Sequence, residues 1–171
     1  CFQCHTAAAG YALGLRTPQL NGDYPYALAE DNQLRAWNHI GWFNTDIGLA
    51  SQYQALVDPY DPSSGSLDQR ARSYLETNCA NCHRPGGPTA LDMDLRAGIS
   101  IGAMNTHGVL ASAGNLGIPN AKRIDPFLSD SSIVYQRMLR LDLFRMPPVG
   151  SYSFDAVGLQ LIRDWIDQGA Q

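Results

Sequence analysis

At 171 residues and 18.7 kDa the chain has room for one compact domain or two small ones, and 44% apolar content is enough for a packed core, which argues against a disordered chain. Only 16% of residues are charged, the formal net charge is -4 and the isoelectric point is about 5.4, so there is no basic stripe to neutralise the phosphates of a nucleic acid. The longest uncharged stretches, 36–45 and 97–121, are rich in Gly, Asn and Ser and contain no apolar run of the roughly 18 residues that a transmembrane helix requires.

The chain opens on CFQCH, residues 1–5, and the pattern returns as CANCH, residues 79–83. A chain that begins on the first cysteine of a motif is expected to have been processed or cut from a longer one. No signal peptide is visible, so any export signal is expected upstream of Cys1. Three chemistries compete for the four cysteines. A disulfide framework would be sparse, because scaffolds that depend on disulfides are usually shorter and richer in cysteine. Cys1, Cys4, Cys79 and Cys82 suit a zinc tetrahedron in type, but more than seventy residues separate the two pairs, where roughly 15 to 20 are usual. Neither chemistry explains the histidines. With 4 His in 171 residues, a histidine behind both pairs has odds of roughly one in two thousand by chance.

Covalent attachment of c-type haem demands that pattern. Each cysteine adds through sulfur to a porphyrin vinyl group, and the two intervening residues set the separation of the thiols. The next residue presents its imidazole to iron. His5 and His83 are thus the expected proximal ligands of two covalently bound haem c groups. A hydrogen bond from the other ring nitrogen to a backbone carbonyl is expected to fix the tautomer of each. Such attachment takes place outside the cytoplasmic membrane, so the expected location is periplasmic or extracellular.

The remaining elements bear on the sixth ligand of each iron, which separates a six-coordinate electron carrier from an open iron that binds or activates small molecules. In DNQLRAWNHIGWF, Asp31 or Asn32 caps a short helix and Gly41 ends it. Leu34 and Trp37 mark its apolar face, and His39 lies about 200° around from Trp37 with Arg35 and Trp42. Either haem 1 occupies that face with His39 as ligand, or His39 is a surface histidine. Prolines and Gly65 then break the chain in VDPYDPSSGS. Next, SLDQRARSYLETNCANCH opens with a capping box, Ser66 and Gln69. It sets Leu67, Ala71, Tyr74 and Leu75 on one helical face and delivers Cys79 and Cys82 to the second haem.

Arg84 and Arg96 are candidates to pair with haem propionates. His107 sits in a loop rich in Gly, Ser and Asn, where exposure is the default. Its sharper reading is an alternative sixth ligand supplied across a subunit contact. Met93 and Met104 suit apolar packing. A helix over 130–141 carries Met138 on its apolar face, as core rather than ligand. Met146, in FRMPPVG and 63 residues after His83, is held by a loop that its two prolines stiffen, and it is the expected sixth ligand of haem 2. A terminal helix over 154–168, with Ser153 as cap and Gly169 as stop, aligns Val157, Leu161 and Trp165.

Residues 66–171 resemble a class I cytochrome c domain. RSYLETNCANCHRPGGP, MDLR, IVYQRMLR, RMPPVG and LIRDWI, together with CHTAAAGYALGLRTPQLN and NQLRAWNHIGWF, resemble the C-terminal region of a bacterial di-haem cytochrome family. That region is often appended to β-propellers like those of sugar or PQQ-dependent dehydrogenases, and no propeller is present in this sequence. The resemblance implies an all-α fold, with a loop-rich haem segment over 1–65 and a cytochrome c-like domain over 66–171. It also implies that Met146 closes haem 2 and that a larger partner, such as a dehydrogenase, feeds the chain.

The expected activity is single-electron transfer between redox protein partners. A His/Met haem 2 would have a higher potential than a His/His haem 1. Two alternatives are a di-haem enzyme with one open iron, acting on peroxide or binding a gas, and a haem-bearing subunit of a dehydrogenase complex or an extracellular homopolymer.

Overall fold

The computed structural model describes residues 4–171, so Cys1 lies outside the described residues. In chain order the elements are helix α1 (Thr17–Leu20), strands β1 (Asp23–Pro25) and β2 (Glu30–Asn32), and helices α2 (Gln33–His39), α3 (Leu67–Asn78), α4 (Ile133–Met138) and α5 (Ala156–Asp167). Short 3-10 turns lie at Ala7–Ala9, Ala50–Gln52, Ile101–Met104 and Ser129–Ser131. The chain is mostly helical rather than all-α. β1 and β2 pair antiparallel, with Tyr24 opposite Asp31, and isolated bridges join His107 to Ile124 and Lys122 to Ser132.

α3 begins where Ser66 accepts from the Gln69 amide at 3.2 Å and the Gln69 side chain accepts from the Ser66 amide at 2.9 Å, the capping box expected from the sequence. It packs against α5 around Ala71, Leu75, Leu161, Ile162, Trp165 and Ile166, all buried. Trp165 Nε1 donates to Asp68 at 2.9 Å, which locks the register of the two helices. At Gly158 of α5, a Cβ would fall on the Tyr74 ring and the Asp155 carboxylate, so only glycine permits this approach.

The opposite side of α3 carries Arg72 and Glu76, both buried. Arg72 donates to the carbonyls of Ala97 (3.0 Å) and Ile99, and Glu76 accepts from the Ala97 amide at 2.8 Å. This pair holds the 97–99 loop in place, and the apolar periodicity of α3 gives no sign of it.

α4 and α5 are shorter than the spacing suggests. α4 covers Ile133–Met138, with Ser129–Ser131 forming a separate 3-10 turn. α5 starts at Ala156 because Asp155, rather than Ser153, accepts from the Gly158 amide at 2.9 Å. In residues 4–65 only Ala9, Asn21 and Leu34 are buried among the described residues. Asn21 compensates for the thin core by donating to the carbonyls of Ala50 (3.0 Å) and Tyr53 (2.8 Å) and accepting from Asn32, which caps α2.

Candidate functional site

α3 runs directly into the second motif. The amides of Cys79 and Ala80 both bond the Leu75 carbonyl at 2.9 Å, ending the helix, and the amides of Cys82 and His83 fold back on the Cys79 carbonyl at 3.1 and 2.9 Å. This turn brings both thiols and the imidazole to one place. Gly87 continues it, because a Cβ there would collide with the Cys82 carbonyl oxygen. The Leu95 amide bonds the His83 carbonyl at 2.9 Å and pins the MDLR segment beside the motif.

Cys79, Cys82 and His83 line a cavity of about 710 Å3, within the range of small-molecule and cofactor sites. Much of the remaining wall is apolar, with Leu91, Met93, Leu95, Ile133, Val134 and Leu159. Met146 is part of the same lining, followed by Pro147 and Pro148. The Met146 amide bonds the Arg137 carbonyl at 3.0 Å, which ties the Met-Pro loop to the end of α4. Met93 and Met138 also line the cavity, so three thioethers border it, although the helical spacing marks Met138 as core. Arg123, Arg137 and Arg140 lie on the wall as well. Arg137 and Arg140 fall in the IVYQRMLR segment while Arg123 belongs to no motif, and their place on the wall becomes visible only once the chain is folded.

Burial controls the charge of these groups. It pushes the Cys79 thiol up to about 12, with the Cys82 thiol adding to the shift. Burial also raises the Cys82 thiol, with neighbouring Cys4 reinforcing the effect and Arg84 opposing it. Both thiols therefore stand protonated at neutral pH. Burial lowers the His83 pKa, which favours the neutral imidazole that a metal ligand requires. His83 Nδ1 is buried with no hydrogen-bond partner among the described residues. At the rim Tyr60 donates to Asp155 at 2.8 Å. Burial, reinforced by that bond and the charge of Asp155, pushes the Tyr60 pKa up to about 12.

One described cysteine of the first motif reaches the same place. Cys4 lines the cavity, and its thiol stands close enough to Cys82 to raise the Cys82 pKa. His5 is exposed, with Nδ1 2.6 Å from the Tyr11 carbonyl oxygen, an arrangement that assigns the proton to Nδ1 and leaves Nε2 as the free electron pair. His39 ends α2 on the solvent side with Arg35 and Trp42, outside the cavity lining. His107 Nε2 lies 2.8 Å from the Gly169 carbonyl oxygen at the end of α5, and His107 is not on the lining either. Arg84 and Arg96 line a different cleft, with Arg84 donating to Ala80 and Arg96 to Asp94.

Among the described residues, no three His, Cys, Asp or Glu side chains converge as a cage for a metal ion. A haem iron needs no such cage, since the porphyrin supplies four nitrogens and the protein one or two axial groups. The Cys79 and Cys82 thiols, the His83 imidazole and the Met146 thioether, which share one largely apolar lining with Cys4, Met93 and Met138, fit a c-type haem. Compared with protein-family models, curated proteins and solved structures, the chain has no match in any of the three.

Proposed function

We propose that this chain is an exported di-haem c-type cytochrome that takes up single electrons and passes them to another redox protein. One observation carries the reading: Cys79, Cys82 and His83 share a single cavity with Met146. In this reading Cys79 and Cys82 hold the second haem through thioether bonds, and His83 and Met146 are its axial ligands. The bound haem supplies a one-electron iron couple. The apolar wall excludes water, and Arg123, Arg137 and Arg140 offer guanidinium groups to carboxylates of the macrocycle.

The first haem is assigned to Cys1 and Cys4, with His5 as proximal ligand and His39 as the sixth. The Nδ1 bond to Tyr11 orients the His5 ring, and Tyr11, Leu15, Leu28, Ile40 and Trp42 are each exposed in this segment, apolar area that a macrocycle could cover in part. Because Cys4 adjoins Cys82, the two attachment points lie side by side, which suits exchange of electrons within one molecule. Thioether ligation raises potential, so electrons enter at haem 1 and leave from haem 2. Covalent attachment places the protein in the periplasm or outside the cell.

Low-temperature EPR of the oxidised protein, after a pyridine haemochrome assay for two haems per chain, tests the reading. Two low-spin signals, one His/Met and one His/His, are expected. A high-spin signal would reveal an open iron and turn the assignment towards peroxide or gas chemistry, and absence of haem would overturn it altogether.

A further inference from the structure

A second cleft, of about 520 Å3, lies where the N-terminal segment meets the rest of the chain. Three guanidinium groups line it, from Arg16, Arg84 and Arg96, together with the carboxylate of Glu76. Glu76 beside Arg84 and Asp94 beside Arg96 offset two of the three charges, which leaves a local surplus of one positive charge in a chain of net charge -4. Arg16 is anchored by Nε and one terminal nitrogen on Asn81 Oδ1, at 3.0 and 2.7 Å, with a further bond to the Ala9 carbonyl at 3.0 Å. Arg96 is anchored the same way on Asp94, at 3.0 and 2.6 Å. In both, the second terminal nitrogen makes no hydrogen bond among the described residues.

Arg84 is more deeply buried than Arg96 and keeps one terminal nitrogen without a hydrogen bond among the described residues. Its side chain is only 9% exposed. Nε bonds Ala80, one terminal nitrogen reaches the Ala8 carbonyl at 3.3 Å, and the other is buried without a hydrogen-bond acceptor among the described residues. Glu76 Oε1 stands 3.6 Å from that nitrogen, while Oε2 is engaged by the Ala97 amide. Like charges gathered in a partly buried cleft repel one another, and a guanidinium fork matches the oxygens of a carboxylate or phosphate.

We propose that this cleft is an oxyanion site, taking a carboxylate or phosphate group between Arg16, Arg84 and Arg96. Two sources carry that chemistry: a free small anion, or a propionate of the porphyrin attached at Cys4. The second rests on the di-haem reading above, and the first does not.

The test is calorimetric titration of the purified chain with inorganic phosphate and with succinate at constant ionic strength, using chloride as control. Saturable binding that Arg96→Gln and Arg16→Gln each weaken about tenfold or more, the loss of one charge-assisted bond, supports a free anion. Binding that appears only in Cys4→Ser, and is weakened by the same substitutions, supports the propionate. No saturable binding in either protein, or binding indifferent to both arginines, overturns the proposal. Should Cys4→Ser fail to fold, the potential of the first haem decides: a fall in both arginine variants supports the propionate, and no change without phosphate binding overturns the site. A chain shown by haemochrome assay to carry no haem fails the di-haem reading alone, and its phosphate titration still decides the oxyanion site.

Discussion

At the scale of single residues, Met138 and Met146, two of the three methionines on the main cavity, have different supports. Met146 sits on a loop tied to the Arg137 carbonyl, whereas Met138 belongs to α4, whose apolar side packs on the core. Met146→Ala is expected to abolish the thioether-to-iron charge-transfer band in the near infrared and to lower the potential of one haem, while Met138→Ala leaves both unchanged. The reverse result in optical redox titration would make Met138 the ligand. Asp155 offers a test that needs no haem. Burial pushes its carboxyl up, but bonds from the Gly158 amide and the Tyr60 hydroxyl, with the Tyr74 hydroxyl nearby, outweigh this and hold it below its ordinary value of 3.8. A depressed folded-state value means the contribution is full above 3.8 and is lost as pH falls through the lower folded value. Thermal melts are therefore expected to show Asp155→Asn clearly destabilised at pH 7 and nearly matched to the parent in strong acid. A deficit that persists unchanged in acid would refute the linkage.

At the scale of elements, α3 governs the geometry of the second motif because its last turn becomes the Cys79–His83 turn. Ser66→Ala removes the side-chain half of its capping box and is expected to cost about 1 kcal/mol, a fall of roughly 2–4 °C in Tm for a chain of this size. Because the cap lies at the far end of the helix from Cys79, the di-haem proposal expects haem content per chain to be the same in Ser66→Ala as in the parent, and a loss of haem would mean the helix is less rigid than its buried face implies. The capping box, the α2 cap at Asn32 and the α3–α5 faces follow from local rules that act within three or four residues. Where α5 begins does not, since Ser153 and Asp155 are both good caps. Asp155 also receives the Tyr60 hydroxyl from the distant linker, and that tertiary bond fits its choice as cap.

At the scale of the whole molecule, the chain is built unevenly. The second part has a continuous core from Ala71 to Ala170, while the N-terminal part buries little apolar surface and leaves Leu15, Leu28 and Trp42 exposed. In hydrogen exchange on protein prepared without haem, α2 and the β1–β2 ribbon are expected to exchange quickly, while α3 and α5 keep strong protection. Equal protection of both parts would show that the N-terminal segment does not depend on a macrocycle for stability. The sequence by itself determined the two Cys-x-x-Cys-His motifs, the capped helix leading into the second, and the proline-stiffened methionine loop, because these depend on residue type and on spacing within one turn or one loop. Only the tertiary structure decided that Met146 shares a cavity with His83, that Cys4 stands against Cys82, that His107 is spent on the end of α5, and that Arg84 and Arg96 face a separate cleft with Arg16. Those relations join residues 60 or more positions apart in most cases, and periodicity carries no information across such distances; packing of α3 on α5 and the hydrogen bonds of the connecting loops set them.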